Sequence, residues 1–491
     1  MLTRRSVIQL GALSLAGVGC ETDPVAPDPF RSGVASADPT PSSLVLWTKL
    51  SGHLDDRSVT VLVALDPTLE RVVWTGQVVA RRMDDHSASL RVDGLDAGTI
   101  YFYAFEVDGH RSPIGRARTA PAEATRLRIA SLSCASYAHG YFHVYRELAD
   151  DEDLDAILHL GDYVYEYGDG QYGDLRALIP PHEVFTLDDY RQRYAFYRAD
   201  PALRDLHAAH AWIVTWDDHE LSNNAWHDGA PGHDSSVSGP FNARAVAAQR
   251  AHREWLPRDP DSLSLHRTIS LGPLADVFVL DVRFEGRNAP PADDAASAAL
   301  AGRTLLGDAQ RAFLLDGLRS STARWKIIAT SVQLSPHPEF WNFDAWDGYP
   351  ADRTALLEAI ERDGIEGVIV LTGDGHKSFA DDLPLDPLGD AYDPDTGEGS
   401  LAVELMTPAV TSPNLFGDAA RRFEDTVRAG APHTKLIEAE SRGYWTLELD
   451  ADVALATLHF MDGVEDPEPR ASRVVARFEV RHGQPHLRRL D

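Results

Sequence analysis

Cysteine is almost absent from this chain, since only Cys20 and Cys134 occur among 491 residues. If Cys20 carries a lipid, no intrachain disulfide can form, and the fold cannot depend on one. Cys134 is then a lone thiol, which is a liability because thiols oxidise. Two reasons for keeping it stay open at this point: ligation of a metal ion, or burial as a small apolar residue.

Positive charge is scarce as well. The 46 Lys and Arg residues stand against 76 Asp and Glu residues, which gives a formal net charge of -30. Such a surface repels polyanions, so we expect no specific nucleic-acid binding.

The length allows two domains, and a hydrophobic content of 43% is ordinary for a globular protein. There is no internal repeat, and a monomer is expected.

Long hydrophobic runs are also lacking beyond the amino terminus. Arg4-Arg5 forms a twin-arginine pattern, and the apolar stretch that follows ends at Val18, too early to span a bilayer comfortably. A chance arginine pair before a general secretory signal is the alternative. The residues before Cys20 resemble a lipoprotein cleavage site. We therefore expect residues 1–20 to direct export to the periplasm or cell exterior, with any membrane attachment through lipid on Cys20.

The rest of the chain divides by pattern. Residues 21–29 are rich in Pro and Asp, which predicts a tether. Residues 30–120 contain short β runs separated by turns, which predicts a separate all-β sandwich of immunoglobulin or fibronectin type. Across residues 121–491 strands alternate with helices, such as the predicted helix from Phe241 to Trp255, so an α/β domain is expected there.

One stretch organises this second domain. The apolar run Ala156-Ile157-Leu158 predicts a buried strand, Gly161 ends it, and Asp162 and Tyr165 follow. A loop after a strand can direct a carboxylate and a phenol into one cavity as oxygen ligands. A single Gly-Asp pair at a strand end is most often only a turn, so this motif needs support from elsewhere.

Three further apolar runs end in the same way, and sites in open α/β sheets form at the carboxyl ends of strands. The polar residues that follow these runs are Cys134, then Asp217-Asp218-His219-Glu220 with Asn223-Asn224, and finally Asp374-Gly375-His376. The repetition predicts a metal site built from four strand ends.

With these residues the chain resembles the PhoD-like alkaline phosphatases and phosphodiesterases, a metallophosphoesterase family that shares the Gly-Asp-x-x-Tyr element with purple acid phosphatases. The matching motifs are Ser133-Cys134, Gly161-Asp162-x-x-Tyr165, Trp216-Asp217-Asp218-His219-Glu220-x-x-Asn223-Asn224 and Gly373-Asp374-x-His376. The resemblance implies a two-sheet α/β sandwich preceded by a β-sandwich. It also implies an Fe³⁺ ion paired with Ca²⁺. At the position of Gly375 the family more often has a bulkier apolar residue. This difference predicts a looser loop around Gly375.

The chemistry of the side chains agrees with that metal pair. A thiolate and a phenolate favour a ferric ion, whereas carboxylate and amide oxygens suit calcium. This assigns Cys134, Asp162, Tyr165 and His376 to the iron. Asp162 bridges to a calcium that Asp374 and one of Asn223 and Asn224 also bind, and Asp218 either binds a metal or orients a ligand. A Zn²⁺ or Mn²⁺ pair is the competing interpretation, with Tyr165 only packed and Cys134 only buried.

Two residues have open roles. His219 could donate a proton to the leaving alkoxide, or it could be a core histidine held by Asp217 or Glu220. Arg283 could clamp phosphate oxygens, or it could form a salt bridge to a loop carboxylate.

The expected activity is hydrolysis of phosphate monoesters or diesters by attack of a metal-activated hydroxide. The alternative is a lipoprotein that binds surface polymers through its β-sandwich and whose hydrolase activity is vestigial. Intact candidate ligands at all four strand ends favour the enzyme.

The export hypothesis gives a first prediction. Replacing Arg4 and Arg5 together with Lys should trap the precursor in the cytoplasm, because the twin-arginine route requires the arginine pair. Cell fractionation and immunoblotting measure this, with the unaltered chain as the control. Unchanged export of the Lys-Lys variant would contradict the hypothesis.

Overall fold

A computed structural model describes residues 28–123, 126–291, 295–298 and 302–491. The predicted signal segment and most of the predicted tether lie outside these residues. Within them, no helix combines the length and the apolar character needed to cross a bilayer. The strands are β1 (Val34–Ala37), β2 (Ser43–Lys49), β3 (Arg57–Ala64), β4 (Val72–Ala80), β5 (Ser87–Asp93), β6 (Ile100–Val107), β7 (His110–Arg111), β8 (Gly115–Arg118), β9 (Leu127–Leu132), β10 (Ala156–His159), β11 (Ala211–Val214), β12 (Arg267–Ser270), β13 (Ala275–Val279), β14 (Trp325–Ala329), β15 (Val368–Thr372), β16 (Ser378–Pro384), β17 (Ser400–Met406), β18 (Thr434–Glu438), β19 (Gly443–Leu449), β20 (Val453–Met461), β21 (Ser472–Arg481) and β22 (Gln484–Arg489). The helices are α1 (His143–Ala149), α2 (Leu187–Arg198), α3 (Pro201–Ala209), α4 (Ser235–Ser238), α5 (Phe241–Trp255), α6 (Ala295–Ala298), α7 (Gly307–Ser320), α8 (Pro350–Asp363) and α9 (Asp418–Gly430).

The strands of the described residues form three sheets. The largest has the order β22-β21-β20-β19-β9-β10-β11-β1-β2-β5, and the second has the order β12-β13-β14-β15-β17-β16-β18. Strands β9, β10 and β11 are parallel, as are β13, β14, β15 and β17. Each parallel set therefore presents its carboxyl ends along one edge, where polar residues can gather.

Apolar clusters show how the layers stack. In β10, Ile157 packs with residues of α1, α2, α3 and α5, whereas the next residue, Leu158, packs with residues of the second sheet such as Val277. The opposite face of the second sheet, at Ile328, packs against α7 and α8. The central strands are thus buried on both faces, which explains their uninterrupted apolar runs.

The N-terminal region is divided between two sheets. A separate β-sandwich was predicted for residues 30–120, but β1, β2 and β5 extend the largest sheet, since β1 pairs in parallel with β11 through Ser36 and Ala211. Strands β3, β4, β6, β7 and β8 form the third sheet, whose Val61 shares a cluster with Leu46 of β2. All residues of β1 are buried, so its two edges need protein partners for their backbone polar groups. β2 and β11 supply them.

Helix boundaries follow local chemistry. The predicted helix from Phe241 to Trp255 is confirmed as α5. At the start of α2, Thr186 accepts a hydrogen bond from the backbone N–H of Asp189, and the Asp189 side chain accepts one in return, an arrangement that satisfies two otherwise unpaired donors. This cap fixes the end of the loop that leads away from Tyr165.

Candidate metal centre

The strand ends of both large sheets converge on one group of side chains. Cys134 follows β9, Asp162 follows β10, and Asp217 and Asp218 follow β11, whereas Asp374 and His376 follow β15 of the second sheet. Candidate ligand atoms lie within 4.8 Å of one another in three sets: Cys134 with Asp162 and His376, Asp162 with Asp218 and His219, and Asp217 with Asp218 and Asp374. The sets share members, so they form a single centre.

Tyr165 and His376 are held in orientations that suit metal ligation. The Tyr165 hydroxyl lies 2.8 Å from Oδ2 of Asp162, 2.6 Å from Oγ of Ser412 and 3.5 Å from Nε2 of His376. Nδ1 of His376 is 2.7 Å from the carbonyl oxygen of Pro413. A carbonyl only accepts, so Nδ1 carries the proton and the lone pair of Nε2 faces the phenol.

The electrostatics of this group call for a cation. Burial raises the pKa of Asp162, Asp374, Cys134 and Tyr165 well above their ordinary values, and nearby carboxylates raise each pKa further. Burial also lowers the pKa of His376 to about 3, which leaves its imidazole neutral. Anionic donors of this kind ionise only beside strong positive charge. The donor set therefore fits a metal ion.

Orphaned oxygens give a second sign of fit. Oδ2 of Asp217 is buried and has no hydrogen-bond partner, whereas Oδ1 of Asp218 has only the guanidinium of Arg283, 3.4 Å away. Leaving a buried acceptor such as Oδ2 of Asp217 unsatisfied costs about 1–3 kcal/mol. Asp218 nevertheless has a lowered pKa, because His219 and Arg283 favour its charged form more strongly than burial opposes it.

Asn223 and Asn224 lie beside the carboxylates. The backbone N–H of Asn224 is 2.5 Å from Oδ2 of Asp218, and that of Asn223 is 2.7 Å from Oε1 of Glu166. Both side chains are partly exposed, as the open side of a substrate site requires.

Arg283 provides a buried positive charge in the centre. Its side chain is 0% exposed. Nε is 2.5 Å from Asp217 and Nη1 is 2.5 Å from Asp344, while Nη2 lies 3.4 Å from Asp218 and 3.3 Å from Asp374. These contacts match the salt-bridge role, which is one of the two roles that the sequence left open for Arg283. The nitrogens face carboxylates on all sides, so the geometry does not support a clamp on substrate phosphate.

His219 is held by a residue that the sequence analysis did not consider. Its Nδ1 is 2.8 Å from Oε2 of Glu166. Asp217 and Glu220, the partners named in the core-histidine alternative, do not hold it. Its ring stacks on that of Tyr165, with centroids 4.3 Å apart. Burial lowers the pKa of His219, but Asp218 and Glu166 outweigh this effect and raise it well above its ordinary value.

Glu220 has a different task. Its carboxylate accepts hydrogen bonds from the backbone N–H groups of Asp162 at 3.0 Å, Tyr163 at 2.6 Å and Asp217 at 2.8 Å. It therefore locks the loop after β10 to the loop after β11. Glu220 lies within a motif that matches the family, and Ser412 lies in the matching stretch Thr407-Pro408-x-Val410-Thr411-Ser412-Pro413. Glu166 and Asp344 carried no signal beyond their nearness to such motifs.

The backbone of the centre is unusual. Cys134, Asp162, Asn224, Asp374 and His376 have φ between 51° and 61°, and they make up five of the ten non-glycine residues with positive φ in the described chain. This conformation costs about 1–3 kcal/mol per residue. Concentration of such strain marks a functional site.

Two glycines shape the loops. Gly161 has φ of 101°, and a Cβ there would lie 2.4 Å from the backbone nitrogen of Asp217. At Gly375 a Cβ would lie 3.0 Å from the Met406 side chain, which fills the space. The loop at Gly375 is thus supported by Met406, in contrast to the looser loop that the sequence suggested.

Comparison with known proteins agrees with this geometry. Residues 129–458 match the model of the PhoD-like phosphatases, and residues 16–121 match the model of their N-terminal domain. The chain belongs to the PhoD-like phosphatase family. It is 34% identical to alkaline phosphatase D of Bacillus subtilis (strain 168) over 526 aligned residues, covering 99% of this chain and 87% of that protein. The solved structure of PhoD matches with a TM-score of 0.87 and 32% identity, covering 95% of this chain and 93% of that one.

Membership fixes the reaction class. The protein is a phosphoric ester hydrolase of the alkaline phosphatase type and acts on a phosphate ester. PhoD-like phosphatases are metal-dependent, and this chain carries candidate metal-binding groups at its strand ends. The alternative of a binding lipoprotein with vestigial activity is not favoured.

The close approach at Gly161 gives a prediction. Gly161→Ala should lower the free energy of unfolding by about 2 kcal/mol more than Gly170→Ala does, and should slow hydrolysis about 100-fold, because Asp162 and Asp217 must move apart. Gly170 is a matched control, since its φ is 70° but a Cβ there meets nothing within 4 Å. Urea denaturation and turnover of a chromogenic ester measure the two effects. Equal behaviour of the variants would show that the contact is unimportant.

Proposed function

We propose that the protein is an exported hydrolase of phosphate monoesters, diesters or both, with a dinuclear Fe³⁺ and Ca²⁺ centre in a two-sheet α/β domain. The observation that carries this proposal is the convergence of a thiol, a phenol, two imidazoles and four carboxylates on one group of strand ends. Cys134 and Tyr165 separate it from a site for calcium alone, because thiolate and phenolate suit a more highly charged or softer ion.

In this proposal the iron is held by Cys134, Asp162, Tyr165 and Nε2 of His376. Asp162 also reaches the calcium, which Asp374 and Asn224 bind through their side-chain oxygens. When bound, the two cations neutralise substrate phosphate and lower the pKa of water at the site. Asn224 is favoured over Asn223 because its backbone is bonded to Asp218 within the centre.

The chain's own residues divide the remaining work. Nδ1 of His219 is bonded to Glu166, so Nε2 is the atom that donates a proton to the leaving alkoxide. Arg283 is a positioning residue, because it holds Asp217, Asp218 and Asp374 without reaching the surface.

A cleft beside the centre suits the organic part of the substrate. Its volume is 340 Å³, and its walls include Glu166, Tyr167, Asn223 and Arg244. Two polar loop segments, near residues 167–185 and 225–240, supply most of the rest of the lining. Polar walls of this kind suit a hydrophilic ester. Export rests on Arg4 and Arg5, and attachment to a membrane would rest on lipid at Cys20.

A test of the function uses the shared ligand. Asp162→Ala should lose both metals and essentially all hydrolysis of chromogenic monoesters and diesters, because one carboxylate contacts both cations. Asp374→Ala should lose calcium and keep iron. Elemental analysis and initial rates measure these outcomes. Normal activity in Asp162→Ala would reject the bridging role.

The iron assignment has its own test. Ferric iron bound by Tyr165 and Cys134 should colour the purified protein through ligand-to-metal charge transfer, and Tyr165→Phe should shift or bleach the band. Calcium chelation should stop hydrolysis while sparing most of the colour. A colourless, fully active enzyme without iron would indicate the Zn²⁺ or Mn²⁺ pair instead, and would leave the hydrolase assignment intact.

A further inference from the structure

A second cluster of ligand-type side chains lies outside the catalytic centre. Candidate ligand atoms of His337, Asp381 and His433 lie within 4.8 Å of one another, and all three residues are at least 99% buried. They come from the loop after β14, from the middle of β16 and from the residue before β18. None of the three was among the metal ligands predicted from the sequence.

Several polar atoms of the cluster have no hydrogen-bond partner among the protein groups that the structure describes. Both ring nitrogens of His433 lack a hydrogen-bond partner, as does Oδ1 of Asp381. Each such group costs about 1–3 kcal/mol when buried and unpaired. The two nitrogens of one ring point in different directions, so one His433 nitrogen and Oδ1 of Asp381 are available to a ligand within the cluster.

The contacts that do exist have the spacing of metal ligands. Nε2 of His337 is 3.3 Å from Oδ2 of Asp381, whereas a charge-assisted hydrogen bond is usually about 2.7–2.9 Å. Two ligands of a tetrahedral zinc ion, each about 2.0–2.1 Å from it, are roughly 3.4 Å apart. Nδ1 of His337 lies 3.3 Å from Oε1 of Glu339, in the place of the carboxylate that commonly orients a zinc-bound histidine.

The surroundings are negative. Asp381 and Glu339 approach His337 from two sides, and Glu404 lies close enough to Asp381 for their charges to interact. Glu339 also borders Gly430, the last residue of α9, where the negative end of the helix dipole lies. Burial lowers the pKa of His433. Burial also lowers the pKa of His337, but Asp381 and Glu339 outweigh this effect and raise it to about 9, so a metal ion bound at His337 would displace a proton.

We propose that His337, Asp381 and His433 bind one divalent transition-metal ion of the zinc class, with Glu339 orienting His337. Two imidazoles and a carboxylate are a donor set that suits zinc and is poor in the oxygens that calcium requires. The site is independent of the proposed catalytic metals. It joins the loop that carries Asp344, a partner of Arg283, to β16, which begins two residues after His376.

The test measures metal binding in chains whose catalytic centre has been disabled. Metal-free Asp162→Ala protein is titrated with Zn²⁺ by calorimetry, and with Co²⁺ to record the visible bands of a tetrahedral site. We expect one equivalent to bind, and binding at least about 100-fold weaker when His433→Gln is added. Glu339→Gln, at the rim of the cluster, should weaken binding about 10- to 100-fold.

His252→Gln is the matched control. His252 is also fully buried with an unpartnered nitrogen, but it faces Arg258 instead of carboxylates. It should leave Zn²⁺ binding unchanged. With Asp162 intact, His433→Gln should hydrolyse a chromogenic ester within about threefold of the unaltered chain, which shows that it folds.

The proposal is overturned if the Asp162→Ala protein binds no Zn²⁺ or Co²⁺. It is also overturned if His433→Gln and Glu339→Gln both bind these ions as tightly as their parent. The cluster would then be a protonated His337 held between Asp381 and Glu339. Neither outcome depends on the catalytic metals. Failure of this proposal can therefore be distinguished from failure of the proposed function.

Discussion

The buried guanidinium of Arg283 is the interaction on which the centre depends. It contacts carboxylates from three loops, namely those after β11, β14 and β15. Without its charge, Asp217, Asp218 and Asp374 would repel one another in a poorly solvated space, and breaking a buried pair costs about 3–5 kcal/mol. A cation can be added to one side of this cluster because the arginine already neutralises the other.

The same cluster explains which parts of the site the sequence could predict. Cys134, Asp162 and Asp374 were predicted because each follows an apolar run, and parallel strands bring such positions to a common edge. Glu166 and Asp344 were missed because their contacts depend on how irregular loops turn, and periodicity carries no information on that. For the same reason the sequence placed His219 in the site but did not identify Glu166 as its partner.

The fold shows a similar division. Periodic stretches such as α5 were predicted with their bounds, since the pattern is local. The pairing of β1 with β11 was not, because it joins Ser36 to Ala211 across more than a third of the chain. The four small residues of β1 carry no local sequence pattern that identifies the strand with which β1 pairs. A separate front domain was therefore expected, and a shared sheet is what forms.

That sheet also constrains how the chain can be synthesised. Strand β9 has β10 on one edge, but its other edge is covered by β19, which consists of residues 443–449. A nascent chain on the ribosome therefore keeps one edge of β9 open until residues 443–449 have been synthesised. Open edges recruit other strands, so pairing with β19 is what protects this edge of β9 from aggregation.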